Sequence, residues 1–268
     1  DRSPMTRRLL AIGLASLLLS CGGQPDRTAG ISPGQTVSVA RPAFGDAKPH
    51  AWTGRAPQSY AVHGIDVSRF QGPIDWPTAA AAGVSFAFLK ATEGGDRVDA
   101  MFHENWRAAG RAGVPRGAYH FFYFCRPAHE QADWFIRNVP ASRGSLPPVL
   151  DMEWNPFSPT CTFRPEPAVV RREAQTFLDL VGRHYGQRPI IYTTVDFFER
   201  NQMWRLSGYE FWLRSVAAHP SDRYDGHPWA FWQYTGTGIV PGIDKVTDIN
   251  VFQGNAAAWA AWLGQRAQ

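Results

Sequence analysis

The chain has 268 residues, 44% of them hydrophobic and 13% aromatic, and a formal net charge of +4. That is enough to bury one large core, and barrels of about 200–250 residues form single domains. Seven of the 27 Lys/Arg and three of the 23 acids fall in residues 1–59, which leaves twenty of each in 60–268; the body of the chain is formally neutral, and nucleic acid, which needs a basic stripe on the domain itself, is excluded as a partner.

The N-terminus reads as an address. Met5 is followed by Arg7 and Arg8, then by the apolar run "LLAIGLASLLLS" and Cys21. A charged start and a short apolar run make a secretory signal, too short to span a bilayer comfortably. "LLSC" at 18–21 resembles a bacterial lipobox with Cys21 as the lipidated residue, although Leu19 is large for its place. An ordinary signal peptide cleaved nearby is the alternative. On the first reading residues 1–21 are removed or lipidated, and a lipid anchor holds the protein at a membrane in the cell envelope, on the periplasmic or surface side; on the second it is secreted. Gly22 lacks the Asp that often marks inner-membrane retention. Residues 22–59 carry six Gly and five Pro without apolar periodicity, the composition of a flexible tether.

From Tyr60 to Gln268 the texture changes to that of one folded domain. "AVHGIDVS" is a strand ending near Asp66. "DWPTAAAAG" has an N-cap in Asp75, an early Pro77 and a stop at Gly83, the signals of a short helix. "VSFAFLKATEG" is a second strand and "DAMFHENWRAAGRAG" a helix, with Phe102 and Trp106 four apart. "VPRGAYHFFYF", "PAHEQADWFIRNV", "PPVLDMEW", "EPAVVRREAQTFLDLVGRHYG" and "RPIIYTT" continue the alternation of strand and helix. Shorter strands follow in "YEFWLRS", "WAFWQYTG" and "TDINVF", and a last helix in "NAAAWAAWLGQ". Alternating elements with near-continuously apolar strands predict an α/β fold with mostly parallel strands. About eight strands suit a closed, irregular (β/α) barrel better than an open sheet. No G-x-G-x-x-G or P-loop follows a strand, so a nucleotide fold has no support.

The acids then acquire positions. Asp151 and Glu153 are two apart near the end of the fourth strand, so they share a face, and the C-terminal end of a barrel strand carries the active site. Two neighbouring carboxyls divide roles, one kept protonated and the other ionised. Taken alone, a D-x-E is more simply a helix cap plus a surface acid. Asp66, Glu93 and Asp248 also sit at strand ends, however, and Tyr119, Tyr123, Trp154, Tyr192, Trp212, Trp232 and Tyr234 accompany them. An acid-lined, aromatic-walled cleft suits a glycan, whose C–H faces pack on rings and whose hydroxyls bond to carboxylates and amides. Each aromatic alone is more readily a core residue than a binding wall.

"GIDVSRFQGPIDW" (64–76), "FLKATEGGD" (88–96), "GAYHFF" (117–122), "VLDMEW" (149–154), "PIIYTT" (189–194), "FWQYTGTG" (231–238) and "TDINVF" (247–252) occur in the order of glycoside hydrolase family 25, the muramidase-type lysozymes, which the chain resembles from Val62 to Phe252. The resemblance implies an irregular (β/α) barrel that cuts the β-1,4 bond between N-acetylmuramic acid and N-acetylglucosamine in peptidoglycan strands. It implies Glu153 as general acid/base, Asp151 as its partner, Asp66 and Asp248 lining the cleft, and Tyr119, Tyr192, Trp212 and Gln233 as substrate contacts. D-x-E on one strand also occurs in chitinase-type barrels, where the substrate's own N-acetyl group is the nucleophile; the same assistance is expected here. Another N-acetylated glycan such as chitin, or glycan binding without cleavage, stays open. The chain departs from the family after Trp212, where a small residue and then an aromatic are usual and "WLRSV" brings Arg214 and Val216. Arg214 either lines a subsite, meeting an acid of the glycan or its peptide stem, or points to solvent.

Cys125 and Cys161 follow neighbouring strands, and an exported chain meets an oxidising compartment. A Cys125–Cys161 disulfide is therefore expected, pinning "NPFSPTC" over the cleft. "FHENW" and "AHEQA" lack the second His of H-E-x-x-H, so no metal and no cofactor are expected. His120 reads as a structural strand histidine, and Glu93 as support behind the cleft or a loop acid. A monomer is expected.

Overall fold

The computed structural model describes residues 39–267, so the signal, Cys21 and most of the tether lie outside the described residues. In chain order the elements are β1 (Gly45–Asp46), β2 (His63–Val67), α1 (Trp76–Ala81), β3 (Ala87–Glu93), β4 (Arg97–Val98), α2 (Phe102–Arg111), β5 (Arg116–Phe121), α3 (Ala128–Asn138), β6 (Val149–Met152), α4 (Pro167–Tyr185), β7 (Ile190–Thr194), α5 (Val195–Asn201), β8 (Glu210–Arg214), α6 (Pro220–Arg223), β9 (Phe231–Ile239), β10 (Thr247–Phe252) and α7 (Ala256–Arg266). The eight expected strands are β2, β3 and β5–β10. They close into one barrel in the order β2-β3-β5-β6-β7-β8-β9-β10, with β10 returning to β2. Seven run parallel; β10 is antiparallel to both its neighbours. The fold is a single-domain α/β barrel of mixed direction.

Period-two alternation sorts the side chains into two layers. Outward residues such as Leu89, Leu150, Ile191, Leu213 and Val251 join the apolar faces of the helices in one core. Inward residues, among them Phe88, Val149, Ile190, Trp212 and Phe231, form a second. Phe88 stacks on Trp212 at 4.6 Å between ring centroids, and Phe86 and Phe252 reach Trp259 of α7 at 5.4 and 5.0 Å. This aromatic packing fills the lower barrel and is sealed from below by α7. It needs room: a Cβ on Gly64 would lie 2.5 Å from the Phe86 ring.

Two local features go beyond the expected pattern, and one expected bond is present. Within 39–59, part of the expected tether, Gly45 and Asp46 pair with Ile239 and Gly238, Thr237 donates to Asp46 at 2.6 Å, and Trp52 meets the Trp232 ring edge-on at 5.2 Å. Among the described residues the packed body therefore begins before Tyr60. The short helices α5 and α6 were not anticipated, because seven and four residues are too few to show a period. The Cys125–Cys161 disulfide is present, with Cα atoms 5.8 Å apart. The loop it holds borders a cavity of about 380 Å³ with Glu93, Tyr123 and Arg126, and its Asn155 and Cys161 line a small recess with Glu153.

The bridge spans a sequence separation of 36, which corresponds to about 2–4 kcal/mol of chain entropy removed from the unfolded state. Cys125→Ser should lower the urea midpoint accordingly. Unfolding without reductant should expose no free thiol from this pair in the wild type.

Candidate active site

The carboxyl ends of the parallel strands surround a cleft of about 420 Å³. Asp66 enters from β2, Tyr119 from β5, Asp151 from β6, Tyr192 from β7, Trp212 and Arg214 from β8 and Gln233 from β9; Glu153 follows one residue after β6. Because β10 runs backwards, its first residues are the ones at this mouth. Asp248 is thereby registered against Asp66. All eight cleft residues expected from the sequence line one cavity. By contrast, a cavity of about 300 Å³ between Trp106, Leu146 and Tyr185 has no carboxylate in its wall.

Asp66 is held by two amides on one oxygen. Gln233 Nε2 donates to Asp66 Oδ2 at 2.9 Å, and Asn250 Nδ2 donates to the same atom at 2.8 Å. Behind them, Tyr192 Oη donates to Gln233 Oε1 at 2.9 Å, and Trp212 Nε1 donates to Asn250 Oδ1 at 2.7 Å. Tyr192, Trp212 and Gln233, expected as substrate contacts, thus direct these polar groups at one another and at Asp66. Trp212 is only 2% exposed; it forms floor rather than wall. Asn250 was missed, although the parity that joins Asp151 to Glu153 also joins Asp248 to Asn250.

Asp151 lies in the ladder, registered between Phe121 and Tyr192, and is 6% exposed. Its Oδ1 is buried without a hydrogen-bond partner among the described residues. Burial pushes its carboxyl well above the usual carboxylate range, and the charge of Glu153 pushes it further. Asp66 is raised in the same way by burial and by Asp248, against the pull of its two amide donors. Burial lifts Glu153 to about 7, opposed by the charge of Arg214, and Asp248 to about 6, again opposed by Arg214. Four acids in one poorly hydrated mouth cannot all ionise cheaply. The cluster therefore holds protons into the neutral range, as a general acid requires.

The remaining residues singled out in the sequence fall around this centre. Glu93 accepts from Lys90 Nζ at 2.5 Å and lies 3.6 Å from Arg97, so it tethers a cleft lysine from the side. His120 is fully buried on the outer face of β5, between Thr92 Oγ1 at 2.7 Å and Gln131 Oε1 at 3.0 Å, with burial pushing it down to about 4. It is structural. Arg214 faces the cleft, not solvent.

A barrel whose strand ends present paired acids to an open polar cleft has the make-up a glycoside hydrolase needs. The model of glycosyl hydrolases family 25 matches residues 65–243, and the chain belongs to that family. It is 33% identical over 270 residues to the uncharacterized protein YegX of Escherichia coli K12, covering 98% of this chain and 95% of that one. It is 36% identical over 213 residues to lysozyme M1 of Streptomyces globisporus, covering 73% and 69%. The solved family 25 glycosyl hydrolase from Bacillus anthracis superposes with a TM-score of 0.72 at 35% identity, covering 80% of this chain and 98% of that one.

The raised acids also make folding depend on pH. Glu153 binds its proton more tightly folded, at about 7, than its ordinary value of 4.5. The native state thus carries the extra proton between these values, and stability falls as pH rises through that window. Glu153→Gln should leave stability near pH 4 unchanged and raise it at pH 8 by about 1–3 kcal/mol. Urea unfolding at the two pH values measures this; an equal effect at both would contradict the assigned burial cost.

Proposed function

We propose that this glycoside hydrolase is a lysozyme that cleaves the β-1,4 bond between N-acetylmuramic acid and N-acetylglucosamine in peptidoglycan. The observation that carries the reading is the pairing of Glu153, protonated up to about pH 7, with the buried Asp151 in one cleft. The printed names of the relatives support the substrate class: lysozyme M1 and the N,O-diacetylmuramidase of Arthroderma benhamiae, 28% identical over 184 residues.

In this reading Glu153 donates its proton to the leaving glycosidic oxygen and then, as a carboxylate, takes one from the attacking water. Asp151 lines the cleft, and no protein donor reaches its Oδ1. It accepts instead from the substrate's acetamide N–H and steadies the acetamide oxygen as it attacks the anomeric carbon. Breaking the glycosidic bond and closing an oxazolinium ring occur together, and water then opens that ring with net retention. Asp66 and Asp248 line the mouth and set its field, and Tyr119 borders it.

The same reading takes residues 1–21 as an export signal, Cys21 as a lipid attachment site and the segment following it as the tether, with the barrel acting alone in the envelope. The disulfide supports export, since such bridges persist in oxidising compartments. Among the described residues no helix is long and apolar enough to cross a membrane.

On purified peptidoglycan the full chain should release fragments with N-acetylmuramic acid at the new reducing end, and Glu153→Gln should be slower by about 10²–10⁴-fold. Mass spectrometry of the fragments decides between bonds. Cleavage of N-acetylglucosamine oligomers in preference to peptidoglycan would favour a chitin-type substrate, and binding without cleavage a glycan reader. The rate should fall as pH rises through about 7, where Glu153 loses its proton. Proton NMR at early times should show the β-anomer first; initial α-anomer would exclude substrate assistance with retention.

A further inference from the structure

Two cations reach this acid-lined cleft, and they are not equivalent. Lys90 is engaged: its Nζ donates to Glu93 Oε2 at 2.5 Å and lies 4.9 Å from the Phe121 ring centroid. Arg214 is the last residue of β8, registered against Thr194 and Gln233 and two positions on from the inward Trp212. Its main-chain oxygen accepts from Tyr224 Oη at 2.6 Å. Among the described residues no carboxylate comes within ion-pair distance of its guanidinium, although its charge is felt at Glu153 and Asp248.

A partly buried guanidinium usually closes on a carboxylate when one is in reach, because the planar fork matches it in a bidentate pair. Here acids surround the cleft and the fork closes on none of them. A cation held among acids yet unpaired is pre-positioned for an anion that arrives with the ligand. Of the two sugars in the proposed substrate, N-acetylglucosamine is neutral, while N-acetylmuramic acid bears a lactyl ether whose carboxyl is free or extended by a peptide stem.

We propose that Arg214 is a specificity-determining residue whose guanidinium receives a carboxylate borne by the muramic acid side of the substrate. The inference rests on the muramidase reading above. Two sources share this chemistry: the lactyl carboxylate of strands stripped of peptide, and the acidic groups of an attached stem.

The test separates the inference from the reading on which it rests. Binding is measured calorimetrically with full-length Glu153→Gln and Glu153→Gln/Arg214→Ala on three probes: neutral N-acetylglucosamine oligomers, peptide-free glycan strands, and strands retaining their stems. Loss of Arg214 should weaken binding of a carboxylate-bearing probe by about 10- to 100-fold and that of the neutral oligomer far less. Arg214→Lys should recover part of the difference, and added salt should erode it. A loss on peptide-free strands identifies the lactyl carboxylate; a loss confined to stem-bearing strands identifies the peptide. An equal loss on all three probes overturns the proposal and leaves Arg214 acting only on Glu153 and Asp248. Turnover by the Glu153-intact chain is read separately. If it cuts none of the probes the muramidase reading fails, while a charge preference that depends on Arg214 would still stand.

Discussion

Two amide donors meeting on one oxygen of Asp66 are the interaction on which the cleft depends. The donors come from β9 and β10, and each is held in turn by a residue of β7 or β8. One oxygen thus gathers five strands, including the seam where the antiparallel strand closes the barrel. Without these donors a fully desolvated acid would face Asp248 across the ladder and Glu153 nearby, with nothing to offset the burial. The network settles the floor of the cleft and leaves the neighbouring acids to hold their protons.

The second constraint is parity. On five of the strands the inward face begins in the apolar packing near the lower end and turns polar toward the mouth. Phe88 leads to Lys90, Val149 to Asp151, Ile190 to Tyr192, Trp212 to Arg214 and Phe231 to Gln233. Stability and chemistry are stacked on one side of the same strands. A one-residue slip in any of them would send its polar group into the apolar layer beneath the helices and draw an aliphatic side chain into the mouth.

This stacking explains what was legible in the sequence. The eight barrel strands were readable because most are near-continuously apolar and bounded by turn or helix signals. Asp66, Asp151, Glu153 and Asp248 were readable because strand ends converge in any closed barrel. The division of labour among Tyr192, Trp212 and Gln233 was not, because a polar aromatic on an inward face looks the same whether it meets a ligand or a neighbour. Asn250 was not legible because a neutral amide on a strand reads the same whether it holds an acid or merely pairs with the backbone. The packing of residues 39–59 was hidden by composition: a Gly/Pro-rich segment has no period, yet Phe44, Trp52, a two-residue pairing and a few hydrogen bonds lay it on the barrel.

The offset between Asp151 and Glu153 relative to the end of β6 has its own consequence. Asp151 belongs to the hydrogen-bonded ladder and moves only with the barrel, whereas Glu153 rides on the first residues of a loop. Its neighbour Trp154 is gripped between Arg164 and Arg200, at 5.0 and 5.9 Å, and packs on Phe197 and Phe124 at 4.5 and 5.4 Å. Arg164 follows the disulfide at Cys161, and Arg200 and Phe197 belong to α5. The two acids therefore answer to different parts of the chain. Drift in the peripheral loop and in α5 would therefore shift Glu153 while leaving Asp151 where the barrel holds it.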